Sequence, residues 1–386
     1  MNVRTAKKPQ RRIDTRYISA LRLQSYGADN LYPQHLADIT AASGTATTCL
    51  ARYSKFIEGN GFADDRLAEL IVNRIGMTGD DLLHQISQDV SRFGGFAVHV
   101  NYNVLGDIAE VNHVPFESCR LEETDDVGVV AHILVHPDWS GRLTRNGQTI
   151  RVNESNVKRF HVFDPRPEVV ARQIENVGGI KNYEGQIAWF SMDGRFVYPT
   201  PIYDASVTDI STDEGLGNIK YRNARNSFLV SCMLVTRRNE PRIDHDGREH
   251  NEPMIDDDDL RAFQGDENAS KIMAVELESM EDKPEVIPFP SRNFDKEFEV
   301  TEQSVIERIY AQFHQELFYS IRIGKLGFSG AVMQDAYEYY AGEVTNEQRF
   351  ISRGLSAIFS RWYDMAVRDI SLYVQPLRYI AATNNG

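Results

Sequence analysis

Between Asp80 and Tyr102 the chain reads DDLLHQISQDVSRFGGFAVHVNY, and its period changes in the middle. Leu82, Leu83, Ile86 and Val90 recur at the spacing that lines one side of a helix, over residues 80 to 92. Gly94-Gly95 then stops the helix, because glycine adopts the backbone angles a helix terminus needs. From Phe96 to Tyr102 the residues are β-branched or aromatic, a strand signature. Ile108 to Val114, Val129 to His136, Thr149 to Val152 and Arg159 to Phe163 are further runs of this kind, separated by Gly, Asp and Pro turns. Upstream, Leu31 to about Phe62 reads as a short helix after Pro33 and a second over Ala46 to Phe56, closed by Gly59 and Gly61. Helices followed by strands define an α+β fold, and the sheet is expected to be antiparallel.

The chain has 386 residues, which favours two or three structural units. Hydrophobic residues at 41% and aromatics at 10% suffice for packed cores and argue against wholesale disorder. The longest apolar run, Phe228 to Val235 broken by Ser231, falls short of the roughly 18 residues of a bilayer span, so no membrane crossing is expected. The basic N-terminus lacks the apolar core of a signal peptide, and the chain is expected to stay inside the cell that makes it. Cys49, Cys119 and Cys232 lie far apart with no C-x-x-C pair and read as unlinked thiols in a reducing compartment. The net charge of −14 counts against a protein that grips nucleic acid tightly. It suits a wall past which a duplex, carrying one negative charge per about 1.7 Å, slides without being held, and equally an ordinary acidic protein. Residues 1 to 16 hold six basic side chains and read as a flexible arm, either solvated or touching DNA or a neighbouring protein.

Farther along, Ser211 and Glu214 have the S-x-x-E spacing of a capping box, which predicts a helix to about Val235. Its first half is polar (Asn218, Lys220, Arg222, Asn223, Arg225, Asn226), which suits either solvent or copies of itself in an assembly. Residues 237 to 259 shift to Arg, Asp, His, Gly and Pro and read as a protruding hairpin or loop. A short helix near Leu260 to Gln264, strands over Lys271 to Leu277 and Glu285 to Phe289, and a loop over Pro288 to Phe298 are expected next. Thr301 caps a predicted helix whose stripe is Val305, Ile306, Ile309, Phe313, Leu317 and Ile321, ended by Gly324. Thr345 and Gln348 form a second capping box, opening a helix with Ile351, Leu355, Ile358, Trp362 and Met365 on one face.

Three segments carry a family resemblance: Tyr26-Gly27-Ala28-Asp29-Asn30-Leu31-Tyr32-Pro33, Lys55-Phe56-Ile57-Glu58-Gly59-Asn60-Gly61-Phe62, and Tyr198-Pro199-Thr200-Pro201-Ile202-Tyr203. Together with the order of elements they make the chain resemble the portal proteins of tailed bacteriophages, especially those infecting Bacteroidetes. The resemblance implies an α+β wing over 17 to 205, a stem helix within 206 to 236, and a small clip over 237 to 255. It further implies a returning segment over 256 to 290, a tunnel loop over 291 to 300, a long tunnel helix over 301 to 323 and a short helical crown over 324 to 386. Where many portals end the tunnel helix in Gly-Val-Pro, this chain reads Phe313-His314-Gln315-Glu316-Leu317.

By the same resemblance the protein is not an enzyme and needs no cofactor. About twelve copies form a ring at the unique capsid vertex of the virion, after assembly in the host cytoplasm. Double-stranded DNA passes through that ring without sequence reading, and the partners are the major capsid protein, a head-tail adaptor and the large terminase. Arg292, Asn293 and Lys296 are candidate phosphate contacts in the tunnel loop, with an ordinary solvated loop as the alternative. Lys220, Arg222 and Arg225 are candidates for the stem interface, and Arg237, Arg238, His245 and Arg248 for the clip. A head-to-tail ring needs two different complementary surfaces, and the polar stem helix and apolar tunnel helix are the candidates.

The sequence contains no Walker A loop, G-x-S-x-G elbow or H-E-x-x-H pair. The run Asp256 to Asp259, with His245 and His250 nearby, allows a rival reading as a metal-dependent nuclease. Consecutive carboxylates at a helix start also answer to the field of the helix N-terminus. A minor capsid or head-completion protein without a channel is the rival within the structural class.

Overall fold

A computed structural model describes the backbone of residues 13, 15–125, 129–141, 144, 145, 148, 149, 151–193, 197–226, 230–237, 242, 243, 249, 250, 271–277 and 294–379. Side chains are described for the same residues outside 142–150 and 222–298. The strands are β1 (Tyr17–Ile18), β2 (Leu23–Gln24), β3 (Gly95–Tyr102), β4 (Ile108–Val114), β5 (Cys119–Leu121), β6 (His132–Val135), β7 (Thr144–Arg145), β8 (Gln148–Thr149), β9 (Lys158–Val162), β10 (Gln186–Ser191), β11 (Val230–Arg237), β12 (Arg242–Ile243), β13 (Glu249–His250) and β14 (Lys271–Leu277). The helices are α1 (Tyr32–Ala42), α2 (Gly44–Glu58), α3 (Asp65–Ala68), α4 (Gly79–Phe93), α5 (Pro167–Asn176), α6 (Val207–Asn226), α7 (Phe294–Gln312), α8 (Glu316–Arg322), α9 (Gly330–Glu343), α10 (Thr345–Phe359) and α11 (Met365–Arg368).

The fold is α+β, in two units: residues 1–210 with 306–386, and residues 211–305. In the first, six strands form one sheet in the order β4-β3-β10-β9-β6-β5. The sheet is mixed where an antiparallel one was expected, because β10 runs parallel to β9. Helix α5 intervenes between those two strands and reverses the chain, as a parallel pair requires. Opposite residues pair across β3 and β10, Phe96 with Phe190 and Ala97 with Trp189. Strand alternation therefore sends the phenylalanines to one face and Trp189 to the other. On the first face Phe96 meets Phe350, and a Cβ added to Gly354 of α10 would lie 2.8 Å from the Phe96 ring. On the second, Trp189 stacks on Phe116, which stacks on Phe93 of α4. Helix α10 supplies part of the sheet's cover through Phe350 and Gly354.

Helix α4 starts as its residues dictate, with Thr78 and Asp81 forming a reciprocal capping box, and ends at Gly94 in the left-handed region (φ 76°). Several other boundaries move. Helix α6 begins at Val207, after a 3-10 turn over Asp204–Ser206, so Ser211 and Glu214 lie inside it and form no capping box. It is described to Asn226, and residues 230 to 235 of the apolar run expected to extend it lie in strand β11, paired in parallel with β14. A short run that is apolar all round fits a buried strand as well as a helix, and the pairing partner decides. Helix α7 begins at Phe294, which puts Thr301 in its interior and takes residues 294 to 298 out of the expected loop. Nothing after Pro290 breaks a helix, and Asp295, Lys296, Glu297 and Glu299 tolerate one.

The single helix expected over 301 to 323 is two, because His314 adopts φ 56° between α7 and α8. Gln315 holds that corner from a fully buried position. Its amide donates to Cys49 O (2.9 Å) and the Tyr340 hydroxyl (2.8 Å), and its Oε1 accepts from Arg52 (2.8 Å). The second expected capping box is also absent. Thr345 donates its hydroxyl to Ala341 O, and the Gln348 amide donates to Phe56 O and Ile57 O. The second unit contains the β11–β14 pair and the short β12–β13 hairpin. The expected helix at 260 to 264 and strand at 285 to 289 lie outside the described residues.

Candidate functional site

Two of the segments that carry the family resemblance, 26–33 and 198–203, meet in one buried cluster within the first unit. Gly27 (φ 87°) and Asn30 (φ 66°) turn the chain so that Asn30 Oδ1 accepts from Tyr26 N at 3.0 Å. The Tyr26 ring stacks on Tyr198 with centroids 4.0 Å apart, and its hydroxyl donates to Pro199 O at 2.7 Å. Tyr198 donates to Gln24 O at 2.6 Å and accepts from Leu121 N at 2.8 Å. Tyr32 donates to Asp204, at the approach to α6. Burial holds the Tyr26 and Tyr198 phenols above their usual range, so both remain protonated donors.

Arg120 locks this cluster, and sequence reasoning missed it. Its guanidinium is fully buried. It donates to Asn30 Oδ1 (2.6 Å), Asn30 O (2.6 Å), Gln34 Oε1 (3.2 Å), Glu117 O (2.9 Å) and Cys119 O (2.7 Å). The cation lies 5.0 Å from the Trp139 ring and 5.7 Å from the Tyr26 ring. These acceptors are all neutral, and burial pushes its pKa down to about 10. A lone arginine in a short strand gives no sequence signal for such a role.

The third segment, 55–62, is equally structural. Gly59 (φ 63°) and Gly61 (φ 85°) bring the chain against residue 375, where Asn60 N donates to Gln375 O and Gln375 N to Gly61 O. A Cβ on Gly59 would lie 2.0 Å from Gln375 O.

From the aromatic cluster the chain enters α6. Tyr203 stacks on Phe313 (5.2 Å) and donates to Arg92 O, while Gln312 donates to Ile202 O (2.5 Å) and Arg308 pairs with Asp209 (3.3 Å). The start of α6 is thus fixed to the end of α7. Beyond Leu216 the helix changes character: residues 217 to 221 are all exposed, including Ile219 and Tyr221, the latter at 62%.

Of the candidate interface residues, Lys220 is exposed and donates to Glu302. Arg222 and Arg225 lie on α6, Lys296 on α7 rather than in a loop, and Arg237 ends β11; their side chains lie outside the described residues. Arg292, Asn293, Arg238, His245, Arg248 and the run Asp256 to Asp259 also lie outside them, and His250 is described only as a backbone position in β13. The structure brings none of these into a described site. The apolar stripe of the tunnel helix is not an open surface, for Ile309 and Phe313 are fully buried in their own unit. Among the described residues no three His, Cys, Asp or Glu converge to hold a metal ion. Among the same residues no helix is long and apolar enough to cross a membrane.

The sequence matches no protein-family model and no curated protein. Similar solved chains come from gene transfer agent particles. One belongs to the virion of the native particle (10% identity, 86% of this chain and 82% of that chain, TM-score 0.44). Another is from the neck of the native particle computed with C12 symmetry (10%, 84% and 81%, 0.44), and a third from the neck of the empty particle computed with C6 symmetry (11%, 86% and 83%, 0.44).

Proposed function

We propose that the protein is a portal subunit: a ring of about twelve copies at the capsid vertex, with a central channel for packaging and ejecting double-stranded DNA. The observation that carries the reading is the exposed turn of α6 at residues 217 to 221, which leaves Ile219 and Tyr221 in water on a helix anchored firmly at its start. Apolar side chains left exposed on a helix are covered when it packs against other copies. Its position directly after the segment 198–203, on which the portal resemblance rests, fits a stem helix. In this reading Lys220, Arg222 and Arg225 face neighbouring stems, and Arg237, Arg238, His245 and Arg248 serve the clip, where the head-tail adaptor and large terminase dock. Arg292, Asn293 and Lys296 lie near the bore and touch phosphates without reading bases. The net charge of −14 favours passage over retention of the duplex. The role is structural, with no cofactor, and the protein resides in the virion against the major capsid protein.

Electron microscopy of the purified chain tests the reading directly. Annular particles, and label at a single capsid vertex, are the expected result. A chain that stays single at every concentration refutes the ring, and label at all vertices or rings without a bore would favour a head-completion role instead.

A further inference from the structure

Helices α1, α2 and α4 enclose a groove of about 610 Å³ on the first unit. Its floor is made of small side chains, Ala37 and Ala41 on α1 and Ala51 on α2, and its walls carry Lys55, His84 and Arg92. Glu58 on the same wall is already engaged: its carboxylate meets His84 Nδ1 at 2.8 Å, and His84 Nε2 meets the Gln88 amide at 2.8 Å. The groove is therefore left with the two cations Lys55 and Arg92 facing an occupant. Arg92 Nε is buried and meets no acceptor among the described residues, an unusual state for a charged donor. Small floors let a helix approach closely, and helices commonly dock in grooves of this kind.

The same chain exposes a helix face of matching shape and opposite charge. On α9, Ala331, Asp335, Glu338 and Gly342 are all exposed and recur every three or four residues, which places them in one stripe. The stripe is small at both ends and acidic in the middle. The opposite side of α9 is fixed inside its own copy, where Tyr340 packs on Phe56 (4.8 Å) and donates to Phe313 O. The acidic stripe thus lies on the side of α9 opposite its packing within its own unit.

We infer that α9 of one copy docks in the α1–α2–α4 groove of the next, with Asp335 and Glu338 facing Lys55 and Arg92. Groove and stripe are different surfaces, so the contact is head-to-tail and propagates around a closed ring. The inference rests on the ring reading and supplies it with a pair of surfaces, replacing the tunnel helix, whose apolar stripe is spent within its own unit.

The test uses the full chain, with assembly followed by mass photometry over a dilution series. Ala41→Trp fills the groove floor, and Lys55→Glu and Glu338→Lys each create a like-charge contact. All three residues are exposed, so thermal unfolding should match the wild type. Each change is expected to raise the concentration of half-assembly at least about tenfold, as like-charge juxtaposition disfavours a wrong partner. Combining Lys55→Glu with Glu338→Lys in one chain restores opposite charges around the ring and should recover most of the loss. If wild type assembles and the variants do so at the same concentration, or the charge exchange fails to rescue, the contact is refuted while the ring survives. A wild type that never assembles overturns the ring reading and this contact together.

Discussion

Replacing Arg120 with Met removes the guanidinium while keeping most of the side-chain length. Of its five acceptors, Asn30 Oδ1 keeps Tyr26 N as a donor and Glu117 O keeps the Gln34 amide. Asn30 O, Gln34 Oε1 and Cys119 O lose the bond that Arg120 supplies. At about 2 kcal/mol for each of the two buried carbonyls left unpaired and about 1 kcal/mol for the half-buried Gln34 Oε1, the loss is about 5 kcal/mol. The substitution also relieves the burial penalty that drives the Arg120 pKa from 12.5 to about 10. At about 1.4 kcal/mol per pKa unit, that relief is about 3 kcal/mol, which leaves a net destabilisation of about 2 kcal/mol. With a urea slope of about 3 kcal/mol per M, the unfolding midpoint of the first unit should fall by about 0.7 M. Tryptophan fluorescence reads this unit, since Trp139, Trp189 and Trp362 all lie in it. Arg120→Lys keeps a charge but not the planar fork, and should recover less than half of the shift. A midpoint within about 0.2 M of wild type for Arg120→Met would show that the cluster does not depend on this cation.

Gly59→Ala should destabilise the first unit by more than about 2 kcal/mol, because strain at positive φ adds to a clash with the backbone of residue 375. Gly76→Ala has the same sign of φ but nothing within 4 Å, and should cost only about 1 kcal/mol; equal urea midpoints for the two would remove the clash from the account. Acid should weaken the protein through Glu110, whose carboxyl is lowered from 4.5 to about 2, chiefly by its hydrogen bonds from Arg74. A carboxylate with a depressed pKa contributes fully above its unfolded value, so this stability is present above pH 4.5 and lost as the pH falls towards 2. Arg74 is largely exposed, so the amount is about 1 kcal/mol after screening, and Glu110→Gln should flatten the urea midpoint over that window. In the portal reading, replacing Arg292 and Lys296 with Ala should leave rings intact but alter DNA packaging or retention; unchanged genome length and infectivity would refute their proposed role.

Local periodicity made much of the first unit legible. Leu82, Leu83, Ile86 and Val90 do form the buried side of α4, and Gly94 does end it. The failures arose where a distant partner overrides a local pattern. Ser211 with Glu214 and Thr345 with Gln348 have capping-box spacing, yet Gln348 is drawn to the carbonyls of Phe56 and Ile57. Val230 to Arg237 becomes a strand because β14, more than thirty residues later, offers an edge to pair with. The break at His314 depends on Gln315 finding three partners from α2 and α9, which no window around residue 314 reveals.

The residues that carry the portal resemblance pack against one another within the first unit. Tyr26, Asn30, Tyr198 and Tyr203 have their polar atoms satisfied inside one unit, and Gly59 and Gly61 accommodate a backbone approach. In the portal reading a closed ring tolerates little error in its subunits, since a small angular fault repeats in every copy and prevents closure. Changes inside the cluster should therefore disturb assembly more than their cost to a single chain suggests. Tyr26→Phe removes one hydroxyl bond, to Pro199 O, at about 1 kcal/mol. If the cluster shapes the subunit for the ring, that variant should give a broader distribution of subunit numbers by native mass spectrometry while its unfolding midpoint barely moves. A wild-type distribution would mean that closure is governed elsewhere.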